Sequence, residues 1–172
     1  MIAVTLEALN HLDRKGAEAA FTTCCGSRAW ARLMAAARPF ASLDDMSDTA
    51  DAIWRSLTSD DLLEAFASHP KIGDQGRGSS WSDREQSGMQ TAGGSVRGRI
   101  AEGNAAYQSR FGYIFIVCAT GKTAEEMLTE LEARLSNDPA AELQVASEEQ
   151  RKITRLRLAK LMDDLHDHDS RA

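Results

Sequence analysis

Apolar residues recur along most of the chain at spacings of three and four, the period of helices that bury one face. The first clear segment follows Ser27, a natural N-cap, and places Trp30, Leu33, Met34 and Ala37 on one side before Arg38-Pro39 ends it. A short helix carrying Ile53, Trp54 and Leu57 is predicted after Ser47 or Thr49, and another carrying Leu62, Leu63 and Phe66 after Ser59, broken by His69-Pro70. Between Gly73 and Ser80 the sequence is polar and glycine-rich, which predicts a loop, and helical composition resumes near Ser82. Thr123 and Glu126 have capping-box spacing for a helix running toward Leu135, and Asn137-Asp138-Pro139 closes it. The longest helix is predicted to start near Ser147, with Ile153, Leu156, Leu161 and Leu165 near one stripe.

The run Phe111 to Ala119, FGYIFIVCA, is continuous and apolar, so period alone does not assign it. No other segment reads as a strand that would pair with it. A lone strand leaves backbone donors unmatched, and the run is therefore predicted to be a buried helix or helix entry. The pattern as a whole predicts an all-α chain, a single-domain bundle of about seven to nine helices over residues 1–172.

Composition changes this picture only by exclusion. With 172 residues, 42% of them hydrophobic and 27% charged, the chain is long and apolar enough for a core of its own. A net charge of −6 argues against phosphate-driven nucleic-acid binding. No stretch approaches the roughly 20 apolar residues of a membrane span. The N-terminal MIAVTLEALNHLD has neither the basic nor the apolar part of a secretory leader. Cys24, Cys25 and Cys118 form neither a disulfide framework nor a CxxC motif. The terminal Ser170-Arg171-Ala172 departs from the peroxisomal S-K-L. A cytoplasmic location is expected.

Charge is unevenly spread. Residues 69–110 hold Lys71, Arg77, Arg84, Arg97, Arg99 and Arg110 against Asp74, Asp83, Glu85 and Glu102, a local balance of +2, while the rest carries −8. Such an island suits a small anionic ligand or, if it is not catalytic, an acidic protein partner. Within it, His69 stands at a helix end before a proline, a rigid corner from which an imidazole can exchange protons near neutrality. Ser82 and Glu85 lie one helical turn apart with Gln86 adjacent, gathering a hydroxyl, a carboxylate and an amide; the same spacing is that of a capping box. The glycines at 73, 76 and 78 fit no phosphate-binding motif. A metal-dependent hydrolase using His69, His166 and His168 is a further alternative, with poor ligand spacing.

Four motifs in order, HPKIG at 69–73, SxxEQxG at 82–88, NxxYxxRFGYIF at 104–115 and KITRLRLAKL at 152–161, resemble those of the 2-oxo-4-hydroxy-4-carboxy-5-ureidoimidazoline (OHCU) decarboxylase family of urate breakdown. Phe21, Cys24, Trp30 and Arg38-Pro39-Phe40 extend the likeness upstream. The resemblance implies an all-helical, often dimeric enzyme that converts OHCU to (S)-allantoin without a cofactor. It implies that His69 is the catalytic acid/base and that Glu85, with Ser82 and Gln86, holds the ureido and ring groups. It further implies that Pro70 and the backbone of Ile116, Val117 and Cys118 line the pocket. Arg157 would meet the ligand's anionic or carbonyl end, with Arg155 two residues away as the competing guanidinium. The chemistry suits a protein without a cofactor: the carbon that loses CO2 adjoins a ring C=N bond, so the substrate carries its own electron sink.

Overall fold

The computed structural model describes residues 5–74 and 80–170, apart from the side chains of residue 80 and residues 164–170. Among the described residues there are nine α-helices, one 3-10 turn and no strand, as the all-α expectation requires. The chain forms two compact units, residues 1–65 with 151–172, and residues 66–150.

The first unit contains α1 (Leu6–His11), α2 (Arg14–Thr22), α3 (Arg28–Ala37), α4 (Leu43–Ser56), most of α5 (Ser59–Ala67) and the later part of α9 (Pro139–Ser170). Ser27 caps α3 as expected, its hydroxyl accepting from the Trp30 N–H. The buried face of α3 is Trp30, Ala31, Met34 and Ala35, however, and Leu33 is 46% exposed. The helix is rotated so that the indole, anchored by Nε1–H to the Ala50 carbonyl at 3.2 Å, meets Phe21 edge-on. The fourth helix starts at Leu43, ahead of Ser47 and Thr49, because Ser42 accepts from the Asp45 N–H while Asp45 accepts from Ala41. Arg38 donates to the Leu9 and Leu12 carbonyls, both at 2.8 Å, satisfying the end of α1.

The second unit contains α6 (Ser80–Glu85), the 3-10 turn Ser87–Thr91, α7 (Gly94–Phe111), α8 (Ala124–Arg134) and the start of α9. Thr123 caps α8 through the Glu126 N–H, as its spacing predicts. The last helix begins at Pro139 rather than near Ser147: Asp138 accepts from the Ala140 N–H, and proline at the first helical position gives up a donor that has no intrahelical partner. Its buried side chains from 149 on are Glu149, Gln150, Ile153, Thr154, Arg157, Leu158 and Leu161, while Leu156 is exposed. The side chain of Leu165 lies outside the described ones.

The segment 111–119 corrects the helical reading. Phe111 ends α7, Gly112 caps it in the left-handed region at φ +83°, and residues 114–119 carry no regular secondary structure. Side chains take over part of the backbone bonding: Arg134 donates to the Ile116 carbonyl at 2.7 Å, and Glu149 accepts the Cys118 N–H at 3.3 Å. Phe115 and Val117 point into the core with Tyr107, Met127 and Leu131.

Candidate functional site

All the neighbouring site groups described next belong to the second unit. His69 follows the end of α5 by two residues, and its N–H donates to the Phe66 carbonyl. Its ring is half-buried, with Nε2 2.6 Å from Oε1 of Gln150, a side chain with no exposure. Beyond Pro70, the chain is held by two amides: Asn104 donates to the Ile72 carbonyl at 3.0 Å, and Gln86 accepts the Gly73 N–H at 3.0 Å. Gly73 sits at φ +94°, where a Cβ brings strain, which gives the glycine of HPKIG its physical reason.

Ser82 and Glu85 are both buried, one turn apart on α6, whereas Arg84 between them is exposed. The helix begins at Ser80, so Ser82 lies inside it and the capping-box reading of this pair does not hold. The Gln86 carbonyl is committed to Gly73, which leaves its amide nitrogen as the donor for anything bound beside it.

The Cys118 thiol lies in the non-helical segment 114–119. Burial pushes its pKa up, and the nearby carboxylates of Glu149 and Glu85 push it in the same direction. Glu149 is buried, accepts the Cys118 N–H, and has Lys122 Nζ at 4.0 Å; Lys122 also pairs with Glu130. Adjacent residues of α9, Glu149 and Gln150, thus connect the surroundings of Cys118 and Glu85 with the ring of His69. Ile116 and Val117, also assigned to the pocket by resemblance, are buried beside Cys118 in the chain.

Arg157 belongs to the first unit, buried close enough to Cys24 and Cys25 to lower both thiols against the larger upward effect of burial. Arg155, its competitor, is engaged by Asp51 at 3.1 Å and Asp48 at 2.6 Å.

Sequence reasoning missed Asn104, Glu149 and Gln150 as site-forming residues. Asn104 was visible only as a motif letter, and the other two as polar positions in a charged run. Three of the six cations of the positive island are engaged by the fold. Arg97 caps the Ala92 and Met89 carbonyls, Arg99 pairs with Glu132, and Arg110 donates to the Asn137 carbonyl while lying over Phe111. A cavity of about 120 Å³ adjoins Ile72–Asp74 and is lined by Met89, Arg97, Ile100, Ala101 and Asn104, without His69 or Glu85. Among the described residues no three His, Cys, Asp or Glu groups converge as metal ligands. The side chains of His166 and His168, and residues 76 and 77, lie outside the described ones, as does Gly78.

The chain is thus an all-helical protein whose second unit holds the His69 imidazole against Gln150, the buried carboxylates of Glu85 and Glu149, and a non-helical segment at 114–119. The family model for OHCU decarboxylase matches residues 10–159, and the chain belongs to that family. It is 38% identical over 148 residues to the uric acid degradation bifunctional protein TTL of Arabidopsis thaliana, covering 82% of this chain and 46% of the relative. It is 34% identical over 131 residues to the 2-oxo-4-hydroxy-4-carboxy-5-ureidoimidazoline decarboxylase of Amia calva, covering 73% of this chain and 75% of that one. A crystal structure of OHCU decarboxylase in the presence of (S)-allantoin superposes with a TM-score of 0.75 at 38% identity, covering 83% of this chain and 96% of the other. The chain therefore spans about half of the plant bifunctional relative and nearly all of the solved one.

Proposed function

We propose that this chain decarboxylates OHCU to (S)-allantoin in urate degradation, with His69 and Glu85 as its catalytic residues. The observation that carries the reading is the family match over residues 10–159, in a chain whose second unit holds the His69–Gln150 pair together with the buried carboxylates of Glu85 and Glu149. Pro70, Ser82, Gln86, Ile116, Val117 and Cys118 form the substrate contacts. Arg157 is assigned to the ligand, and the homodimer proposed, on the resemblance alone; the single functional domain over residues 1–172 rests also on the helical pattern, and the cytoplasmic location on the cysteine usage. No helix among the described residues is long and apolar enough to cross a membrane.

The reaction needs one electron pair to move and one proton to be placed. The bond from the ring carbon to its carboxylate breaks, CO2 leaves, and the pair enters the adjacent C=N bond, whose nitrogen takes a proton. The resulting enol loses its hydroxyl proton, and the carbon bearing the ureido group gains one, giving a ketone and a single stereocentre; overall one proton is consumed. His69 accepts the hydroxyl proton and supplies the one delivered to carbon, a contribution of about 10²- to 10⁴-fold in rate. Glu85 accepts N–H groups of the ureido chain or ring and fixes the face that is protonated.

The test adds purified protein, with chelator present, to freshly generated urate hydroxylation products and follows the optical activity of the allantoin formed. Accumulation of the (S) form faster than the spontaneous reaction is expected, and racemic product at the spontaneous rate refutes the reading. His69→Ala should keep its helical spectrum while turnover falls by about 10²- to 10⁴-fold. Glu85→Gln should weaken turnover and stereochemical purity more than stability.

A further inference from the structure

We propose that Gln150 is a positioning residue that holds the proton of the neutral His69 ring on Nε2, making Nδ1 the nitrogen that exchanges protons with substrate. The inference rests on the reading of His69 as acid/base and adds to it the identity of the basic nitrogen. An amide oxygen can only accept, so the 2.6 Å contact between His69 Nε2 and Gln150 Oε1 requires the hydrogen on Nε2. A neutral imidazole carries one such hydrogen, and its other nitrogen is then the base.

The arrangement is built to persist. Gln150 has no exposure and lies well inside α9, and its predecessor Glu149 is tied to the Cys118 N–H, so this turn of the helix is fixed on two sides. The ring is fixed at its own root as well, by the His69 N–H to the Phe66 carbonyl and by Pro70, which restricts the backbone of the residue before it. Burial strengthens the hydrogen bond and makes its loss expensive. A neutral acceptor at this place also differs from the aspartate that orients histidine in hydrolytic triads: it selects the tautomer without adding a charge that favours imidazolium. A ring that must both take and return a proton within one turnover is served by that choice.

The experiment reads the tautomer directly. Long-range ¹H–¹⁵N correlation spectra of the imidazoles are recorded about two pH units above the ring's titration midpoint, with His69→Gln identifying the signals of residue 69. Wild type should show the Nε2–H pattern. Gln150→Met, similar in volume and without an acceptor, should show mixed tautomers, with kcat lowered by about 10- to 100-fold, as for outer-shell partners of histidine, KM little changed, and the helical spectrum intact. Gln150→Glu keeps an acceptor in place and should restore the Nε2–H pattern and raise kcat above that of Gln150→Met. An Nδ1–H pattern in wild type, as when the amide nitrogen donates to Nε2, overturns the proposal whether or not the Met variant folds. So does a Met variant with the tautomer and kcat of wild type. If wild type shows Nε2–H, lost in the Met variant, but no OHCU is turned over, the hold of Gln150 on the ring is upheld and the decarboxylase reading fails.

Discussion

Arg134→Met should be among the most destabilising single changes in the second unit. Arg134 is 6% exposed and Glu142 has no exposure. The guanidinium donates from Nε to Glu142 Oε1 at 2.7 Å and from Nη1 to the Ile116 carbonyl at 2.7 Å, while Nη2 lies 2.6 Å from the same Glu142 oxygen without hydrogen-bond alignment. Its plane also covers Phe115, 4.6 Å from the ring centre. Methionine keeps much of the stem but leaves the Glu142 carboxylate buried, with only the neutral donors Tyr107 and Asn137 of its described partners. Breaking a buried pair from one side costs about 3–5 kcal/mol. The orphaned Ile116 carbonyl adds to this, though not additively, because both losses belong to one network. At about 2–4 °C per kcal/mol for a chain of this size, the melting temperature should fall by roughly 6–20 °C. Thermal melting followed by circular dichroism reads this directly. The decisive comparison is Arg134→Met/Glu142→Gln, in which the uncompensated charge is gone and Tyr107 and Asn137 keep a neutral partner. It should melt above Arg134→Met alone. A single variant within about 2 °C of wild type, or a double variant below the single one, would show that charge compensation does not hold this region together.

The remaining predictions concern titration, reactivity and close packing. Burial and donation to Glu142 push the Tyr107 hydroxyl well above its ordinary pKa, so its contribution to stability is complete below about pH 10 and declines as pH rises beyond that; Tyr107→Phe should be less stable near neutrality but lose less on going to alkaline pH, as urea midpoints across pH would show. Burial pushes Cys24 up to about 12 and Cys25 up to about 11, so both should resist a thiol reagent until unfolding, while half-buried Cys118 reacts slowly in the native protein. Glu85→Gln should speed Cys118 labelling by removing one of the two carboxylates that raise its pKa; an unchanged rate would mean that Glu85 does not face that thiol. Gly88→Ala would place a Cβ 2.2 Å from the Lys122 carbonyl oxygen, forcing the 3-10 turn away from the start of α8, and should cost at least about 1–3 kcal/mol in denaturant unfolding.

Much of this was legible because local chemistry acted alone. Ser27 and Thr123 cap the helices their spacing announces, and Asn137-Asp138-Pro139 separates α8 from α9. The all-α class followed from helical period and the lack of a strand partner, and Ser82 and Glu85 do share a buried face. What escaped depended on partners distant in sequence. Hydrophobicity places Leu33 inward, yet the packing of Trp30 against Phe21 sets the rotation of α3. The run 111–119 looks helical because an isolated strand has nowhere to place its hydrogen bonds; Arg134 and Glu149, 18 and 31 residues from the groups they serve, supply partners no local pattern reveals. Gln150 reaches a histidine 81 residues away.

The face that α9 buries is not its most hydrophobic one. On α9 the positions 146, 149, 150, 153, 154, 157, 158 and 161 follow the three-and-four spacing of a single buried face, and all eight are buried. Half of them are Glu149, Gln150, Thr154 and Arg157, so averaging hydrophobicity over the helix hides the very face that is buried. Polar groups withdrawn from water without partners are costly, and their retention on such a stripe therefore marks the places where the interior has polar business to conduct. The non-helical run shows the complementary case. A helix satisfies its own amides and carbonyls and offers neighbours chiefly side chains, whereas Ile116 and Cys118 present backbone groups that only a buried guanidinium and a buried carboxylate have come to meet. The buried polar stripe and the interruption of helix are thus one structural device: where this helical chain gives up its own hydrogen bonds, it must import polar side chains into the core, and the adjacent Glu149 and Gln150 engage Cys118 and His69 respectively.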